Sequence, residues 1–239
     1  MWLNAPVKRT LSPLIGLAAL LVSLPARADF ETWIWTEIRV PLVRTEKPTF
    51  PRLDWRVFTD TRLNVRSGGL HQAFFRTGPL LYVSDWLFIG VHGTVYADRL
   101  LKPAGNLQAG DFTQEVRAEL EPNFFWRLGD FTFNDRNRLE YRHRSYEDRY
   151  RYRNQLRVNY APIGAKWIPF IWDELLVDLS GKGVNQNRFD IGIGRMMSDQ
   201  TRVDLGFMIR SRKEDDGWKH DGVVNLYVYV DVPPKAAKR

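Results

Sequence analysis

The stretch RLEYRHRSYEDRYRYRNQLRV, residues 138–158, threads Tyr, Leu and Val between closely spaced arginines, and this alternation limits what the chain can become. Successive side chains on a strand point to opposite faces, so an extended run divides by parity. In 136–144 the even positions are Arg136, Arg138, Glu140, Arg142 and Arg144, and the odd ones are Asn137, Leu139, Tyr141 and His143. The next run places Arg149, Arg151, Arg153, Gln155 and Arg157 on one face. Tyr150, Tyr152, Leu156, Val158 and Tyr160 fall on the other, with Asn154 the exception. The pattern predicts two strands joined by a turn near Glu147-Asp148, each charged on one side and largely aromatic or aliphatic on the other.

The same division recurs. Arg117 and Glu119 oppose Val116, Ala118 and Leu120; Arg188 and Asp190 oppose Phe189, Ile191 and Ile193; Arg202 and Asp204 oppose Val203, Leu205 and Phe207. Runs rich in Trp, Tyr, Phe, Val and Ile are read as strands at 31–43, 53–66, 71–83, 86–98, 112–126, 131–145, 149–160, 166–179, 187–197, 201–212 and 222–231. Turn residues separate them, among them SGG at 67–69, LGD at 128–130, GKGVNQN at 180–186 and EDDG at 214–217. A half-solvated soluble sheet alternates in the same way, so three further features decide. A strand of about twelve residues at roughly 3.3 Å each reaches about 40 Å, enough to cross a bilayer at a tilt. Trp33, Trp35, Trp86, Phe124, Trp126, Trp167, Trp172 and Trp218 gather towards strand ends, as an interfacial girdle would. The charged face mixes signs and favours Arg over Lys, 26 to 9 in the whole chain, and a guanidinium fork can bridge several carboxylates in a confined space.

The expectation is an all-β fold: a transmembrane, antiparallel, up-and-down β-barrel. Its lumen would be packed by a network of Arg117, Glu119, Arg138, Glu140, Arg142, Arg151, Arg153, Glu174, Arg188, Asp190, Arg202 and Asp204. Eleven runs are read, but single-chain bacterial barrels have even strand numbers, so about twelve strands are expected, with ten as the fallback. The N-terminus reads as a cleaved signal peptide over 1–28. Lys8 and Arg9 lead into LIGLAALLVSLP, and Ala26-Arg27-Ala28 supplies an A-x-A site. The mature chain, 29–239, has no Gly/Ser- or Pro-rich linker and is read as one domain. Removing the leader lowers Lys+Arg from 35 to 32 against 28 Asp+Glu, so the formal charge falls from +7 to +4. No cysteine is present, which excludes disulfides and thiolate chemistry.

The segments 136–157, PFIWDELL (169–176), QNRFDIGIGRMM (186–197) and VDLGFMI (203–209) follow one another in an order that resembles the bacterial family known as domain of unknown function 2490. The resemblance rests on Arg138, Glu140 and Arg142; Tyr152 and Arg153; Pro169, Phe170 and Glu174; Asn187, Arg188 and Gly192; and Gly206 and Phe207, and it covers about 112–231. It implies an outer-membrane barrel and no established activity. At the end of the chain, DVPPKAAKR follows NLYVYV where barrels commonly stop on an aromatic residue.

Catalytic signals are weak. His143-Arg144-Ser145 is the one His-x-Ser, with His143 and Ser145 on the lipid side and no orienting carboxylate at an obvious spacing. Asp173 and Glu174 are strand neighbours pointing to opposite faces, so they cannot act as a pair; Glu174 is expected to accept from lumen arginines and Asp173 to sit near an interface. His92 reads as a lumen residue, and Gly192 and Gly194 as small inward positions that make room for Arg. No enzyme activity, metal or cofactor is expected, a lipid hydrolase being the reading set aside, and the glutamates on the basic face argue against nucleic acid. The expected location is the outer membrane of a Gram-negative-type bacterium, with its lipid and the barrel-assembly machinery as partners. The expected role is a narrow or plugged channel, or a structural barrel. The alternative is a soluble periplasmic β-sandwich that binds an anionic ligand or partner.

Overall fold

The computed structural model describes residues 30–42, 50–64, 69–99 and 111–233, and the leader expected over 1–28 lies outside them. The described residues form eleven strands and no helix: β1 (Phe30–Pro41), β2 (Arg52–Asn64), β3 (Gly69–Tyr82), β4 (Leu87–Arg99), β5 (Phe112–Leu128), β6 (Phe131–Arg144), β7 (Glu147–Tyr160), β8 (Trp167–Asp178), β9 (Gly183–Met196), β10 (Thr201–Glu214) and β11 (Gly217–Asp231). Consecutive strands pair antiparallel and the sheet closes on itself, with β1 beside β11. This is one closed sheet rather than the two packed sheets of a sandwich.

The strands form where the eleven runs were read, and the count is eleven rather than the expected twelve. Eleven strands are joined by ten antiparallel steps, and an even number of reversals leaves the first and last strands pointing the same way, so β1 and β11 pair in parallel, from Phe30–Gly222 to Arg39–Asp231. The even-number rule serves barrels that close antiparallel; a parallel seam removes that constraint. The hairpin in the Arg-rich region turns two residues earlier than expected, at Ser145-Tyr146, so Glu147 and Asp148 already lie in β7. Gly129, at φ +58°, begins the two-residue turn between β5 and β6, a backbone position that suits glycine. Register shifts at Arg62/Leu63 and Leu176/Val177 mark local irregularities in two ladders.

Parity sets which side chains enter the barrel. Asp190 is fully buried, whereas its neighbour Ile191 keeps 55% of its surface exposed on the outside. The same contrast separates Glu140 from Leu139 and Asp204 from Leu205. Eight strands enclose an interior that side chains just fill. Eleven enclose more, and Arg and Trp supply the bulk that fills it.

Candidate functional site

Five glutamates organise one wall of the interior. Glu115, Glu119 and Glu121 share the inward face of β5 with Arg117 between the first two, Glu140 lies on β6 and Glu174 on β8, and all five glutamates are buried. The Glu174 carboxylate accepts from Arg136 Nη2 at 2.8 Å, Arg153 Nη2 at 2.7 Å and Arg188 Nη1 at 3.1 Å. Glu140 accepts from Arg151 Nε at 2.7 Å and Arg153 Nη1 at 3.1 Å. Arg138 donates from Nε to Glu121 at 2.6 Å and lies 3.6 Å from both Glu119 and Glu140. Arg76 Nε is 2.8 Å from Glu119, and Arg56 Nη1 donates to Glu121 at 2.7 Å. Glu115 is shared by three guanidinium groups, Arg117, Arg142 and Arg144. Each cation is matched by acceptors, as desolvated charge requires.

Of the twelve residues anticipated from the sequence, all have inward side chains, but they fall into three groups. Arg117, Glu119, Arg138, Glu140, Arg142, Arg151, Arg153, Glu174 and Arg188 lie within the glutamate-organised wall. Arg202 and Asp204 form a separate cluster with Arg157 and Asn159. Asp190 has no cationic partner within ion-pair distance among the described residues; it accepts from Asn225 Nδ2 at 2.6 Å and Tyr227 Oη at 2.9 Å. Gly194 is small for a reason: a Cβ there would meet Asp204 Oδ1 at 2.3 Å and Arg202 Nε at 2.8 Å. Gly192 instead gives way to the Phe170 ring and the β10 backbone. His92 is buried inside, its ring lying where a side chain at Gly90 would stand.

The opposite wall is aromatic. Trp33, Trp35, Phe58, Phe170, Trp172, Met208, Val223 and Tyr227 form a buried cluster. This corrects the girdle expected from the sequence: Trp33, Trp35 and Trp172 point inward, while Trp86, Trp126, Trp167 and Trp218 are exposed towards strand ends. Parity carried the signal, since Trp33 and Trp35 share their face with Glu31 and Glu37, and Trp172 with Glu174. The Arg62 guanidinium stacks 3.6 Å from the Trp33 ring centroid, with those of Arg188 and Arg210 at 5.0 and 5.5 Å. Arg210 joins this wall through Glu31 at 2.7 Å and Asp221 at 2.9 Å. The network expected from the sequence lacks Glu31, Arg62, Arg210 and Asp221, although Arg62 and Arg210 share the charged faces of β2 and β10.

Two cavities occupy the interior, of about 570 and 290 Å³, one towards each rim. Trp35, Phe58 and Arg136 line both and stand between them.

Two features of the outer face differ from expectation. His143 Nδ1 lies 2.7 Å from Asp148 Oδ1, so the orienting carboxylate absent from the sequence reading is present across the hairpin. Ser211 Oγ lies 2.8 Å from His220 Nδ1 on the β10–β11 hairpin. No hydrogen bond among the described residues joins a serine to His143, or a carboxylate to His220. Asp173 does not sit at a strand end. It is exposed halfway along β8 and accepts from Asn187 Nδ2 at 3.0 Å, while Asn154 Nδ2 donates to Asp135 at 2.6 Å on the neighbouring strands. Asn154, the exception to parity, thus belongs to a hydrogen-bonded polar patch within an otherwise apolar surface.

A family model described as "Protein of unknown function (DUF2490)" matches residues 34–221, reaching further towards the N-terminus than the motif resemblance. No curated protein and no solved structure matches the chain.

Proposed function

The chain belongs to the DUF2490 family of proteins of unknown function, and from that premise we propose that it is an integral outer-membrane β-barrel held shut at its waist. The observation that carries this reading is the inversion of the usual solubility pattern. Val91, Val116, Leu139, Ile171, Ile191 and Phe207 are exposed on six different strands, while Glu115, Arg117, Arg138, Glu140 and Asp190, the charged neighbours of three of them, are buried. An apolar ring of that extent far exceeds the few hundred Å² that soluble monomers expose; hydrocarbon is the solvent that suits it. Strands of 12 to 17 residues, tilted, match a hydrocarbon core of about 30 Å. The exposed Trp86, Trp126, Trp167 and Trp218 suit the two interfaces.

Within this reading the leader over 1–28 directs export, the assembly machinery inserts the barrel, and lipid covers its outer face. The role is that of a plugged or structural barrel: Trp35, Phe58 and Arg136 stand where a pore would need to pass. The histidine pairs on the outer face lack the full nucleophile–base–acid arrangement, and no catalysis is assigned to them.

Membrane fractionation with gel mobility tests the location. The protein should pellet with the outer membrane and migrate faster unboiled than boiled; recovery in the soluble periplasmic fraction would overturn the proposal. Planar-bilayer recording tests the plug. The wild type should stay closed and Trp35→Ala/Phe58→Ala should conduct, whereas sustained conductance from the wild type would remove the plug from the reading.

A further inference from the structure

The larger cavity has an unequal lining. Twelve arginines and one lysine face it against four carboxylates, those of Glu31, Asp98, Glu214 and Asp221. Glu115, Glu119, Glu121, Glu140 and Glu174 are absent from its lining and buried behind the guanidinium groups. The glutamates fix where the arginines stand, and the arginines present their outer edges to the cavity. Sharing sharpens the imbalance: Arg117, Arg142 and Arg144 divide one carboxylate at Glu115, and Arg136, Arg153 and Arg188 divide another at Glu174. Each of those carboxylates holds a single negative charge against three positive ones, and among the described residues Arg153 and Arg144 have one further acid each, Glu140 and Glu147.

We propose that this cavity is a binding site for a small, multiply charged phosphorylated anion. Charge sign selects an anion, and low local dielectric makes the attraction stronger than at an open surface. Geometry selects the phosphoryl group. Arg117, Arg142 and Arg151 reach the cavity from β5, β6 and β7, while Arg76 and Arg210 reach it from β3 and β10 on other sides of the barrel. Donors converging from several directions fit a tetrahedral group with three acceptor oxygens better than a planar carboxylate. A volume of about 570 Å³ lies within the range of small-molecule sites. The site is independent of the membrane reading, since it requires only the closed barrel.

The test uses the full mature chain refolded in detergent, with inorganic pyrophosphate as the probe in titration calorimetry and citrate as the polycarboxylate control. Saturable binding of one pyrophosphate per barrel is expected, at least tenfold tighter than citrate. Arg142→Gln/Arg151→Gln should weaken it at least tenfold, with folding checked by unboiled gel mobility. Arg212→Gln, nearer the rim, should weaken it less and serves where the double variant does not fold. Arg157→Gln, in the smaller cavity, should leave it unchanged. The proposal is overturned by absent or non-saturable binding, by citrate binding as tightly, or by equal losses in the Arg157 and Arg142/Arg151 variants.

Discussion

The two glutamates at the centre of the network differ in what their loss leaves behind. Removing Glu140 strands Arg151, for which Glu140 is the one carboxylate within ion-pair distance among the described residues; Arg153 keeps Glu174, and Arg138 keeps Glu119 and Glu121. Removing Glu174 strands both Arg136 and Arg188, which have no other carboxylate partner among the described residues, while Arg153 keeps Glu140. Breaking a buried pair by deleting one partner costs about 3–5 kcal/mol, because the remaining charge is uncompensated. The guanidinium groups adjoin the large cavity, where water can enter, which keeps the cost within that range rather than above it. Glu140→Ala should therefore cost about 3 kcal/mol and Glu174→Ala about 5 kcal/mol. Adding Arg188→Met to Glu174→Ala removes one stranded charge and should recover about 1–2 kcal/mol, a coupling that independent sites would not show. Urea titrations of the barrel in lipid vesicles, followed by tryptophan emission and by gel mobility, measure all four proteins. An unchanged midpoint for Glu174→Ala, or a larger loss for Glu140→Ala, would refute the account of which arginines depend on which acid.

Three further variants separate the remaining claims. Leu139→Arg puts a charge on the outer face midway along β6; it should cost about 2–4 kcal/mol in a bilayer, and a change within about 0.5 kcal/mol in vesicle unfolding would mark that face as water-exposed. Gly194→Ala drives a methyl against Asp204 and Arg202 and should cost about 1–3 kcal/mol by the same urea titration, a neutral result showing that the pair can move aside. Asp173→Leu/Asn187→Leu replaces a hydrogen-bonded polar pair on the outer face. It should stabilise the barrel in vesicles by about 1 kcal/mol, because both partners leave together and nothing is stranded; a loss of stability would show that the pair meets water or another chain.

Much of this fold is legible in the sequence because a period of two leaves little freedom. Once Arg138, Glu140 and Arg142 are assigned to one face, Leu139 and Tyr141 must take the other, and the sheet has two different surroundings to satisfy. Legibility fades at the rims. β9 begins at Gly183 rather than near Asn187, and β11 at Gly217 rather than near Gly222. Val184-Asn185-Gln186 and Trp218–Asp221 lie where both faces approach the strand ends, and polar residues there resemble loop because burial no longer enforces alternation. The tryptophans misled for another reason. The belt expectation placed Trp33, Trp35 and Trp172 towards strand ends, but Trp35 and Trp172 stand midway along β1 and β8. Parity turns all three inside, where guanidinium groups stack on Trp33 and its indole N–H donates to Glu31 at 2.9 Å.

The seam explains why the aromatic residues gather on one side. Parallel pairing is slightly weaker per residue than antiparallel pairing, and β1–β11 is the one parallel contact in this barrel. Interior packing is concentrated beneath it. Trp33 and Trp35 hang from β1 and Tyr227 from β11, with Trp35 meeting Tyr227 edge-on at 4.6 Å. Met208 on β10 and Phe58 on β2, the strands flanking the seam, join them, and Phe170 and Trp172 reach the cluster from β8. Arg210 on β10 reaches past β11 to Glu31 on β1 at 2.7 Å, tying three strands together across the joint. The arginine-rich wall spans β5 to β9, where each strand has antiparallel neighbours on both sides. An odd-stranded barrel must close on its weakest ladder, and in this chain apolar burial backs that ladder while the charged network occupies walls that antiparallel pairing already secures.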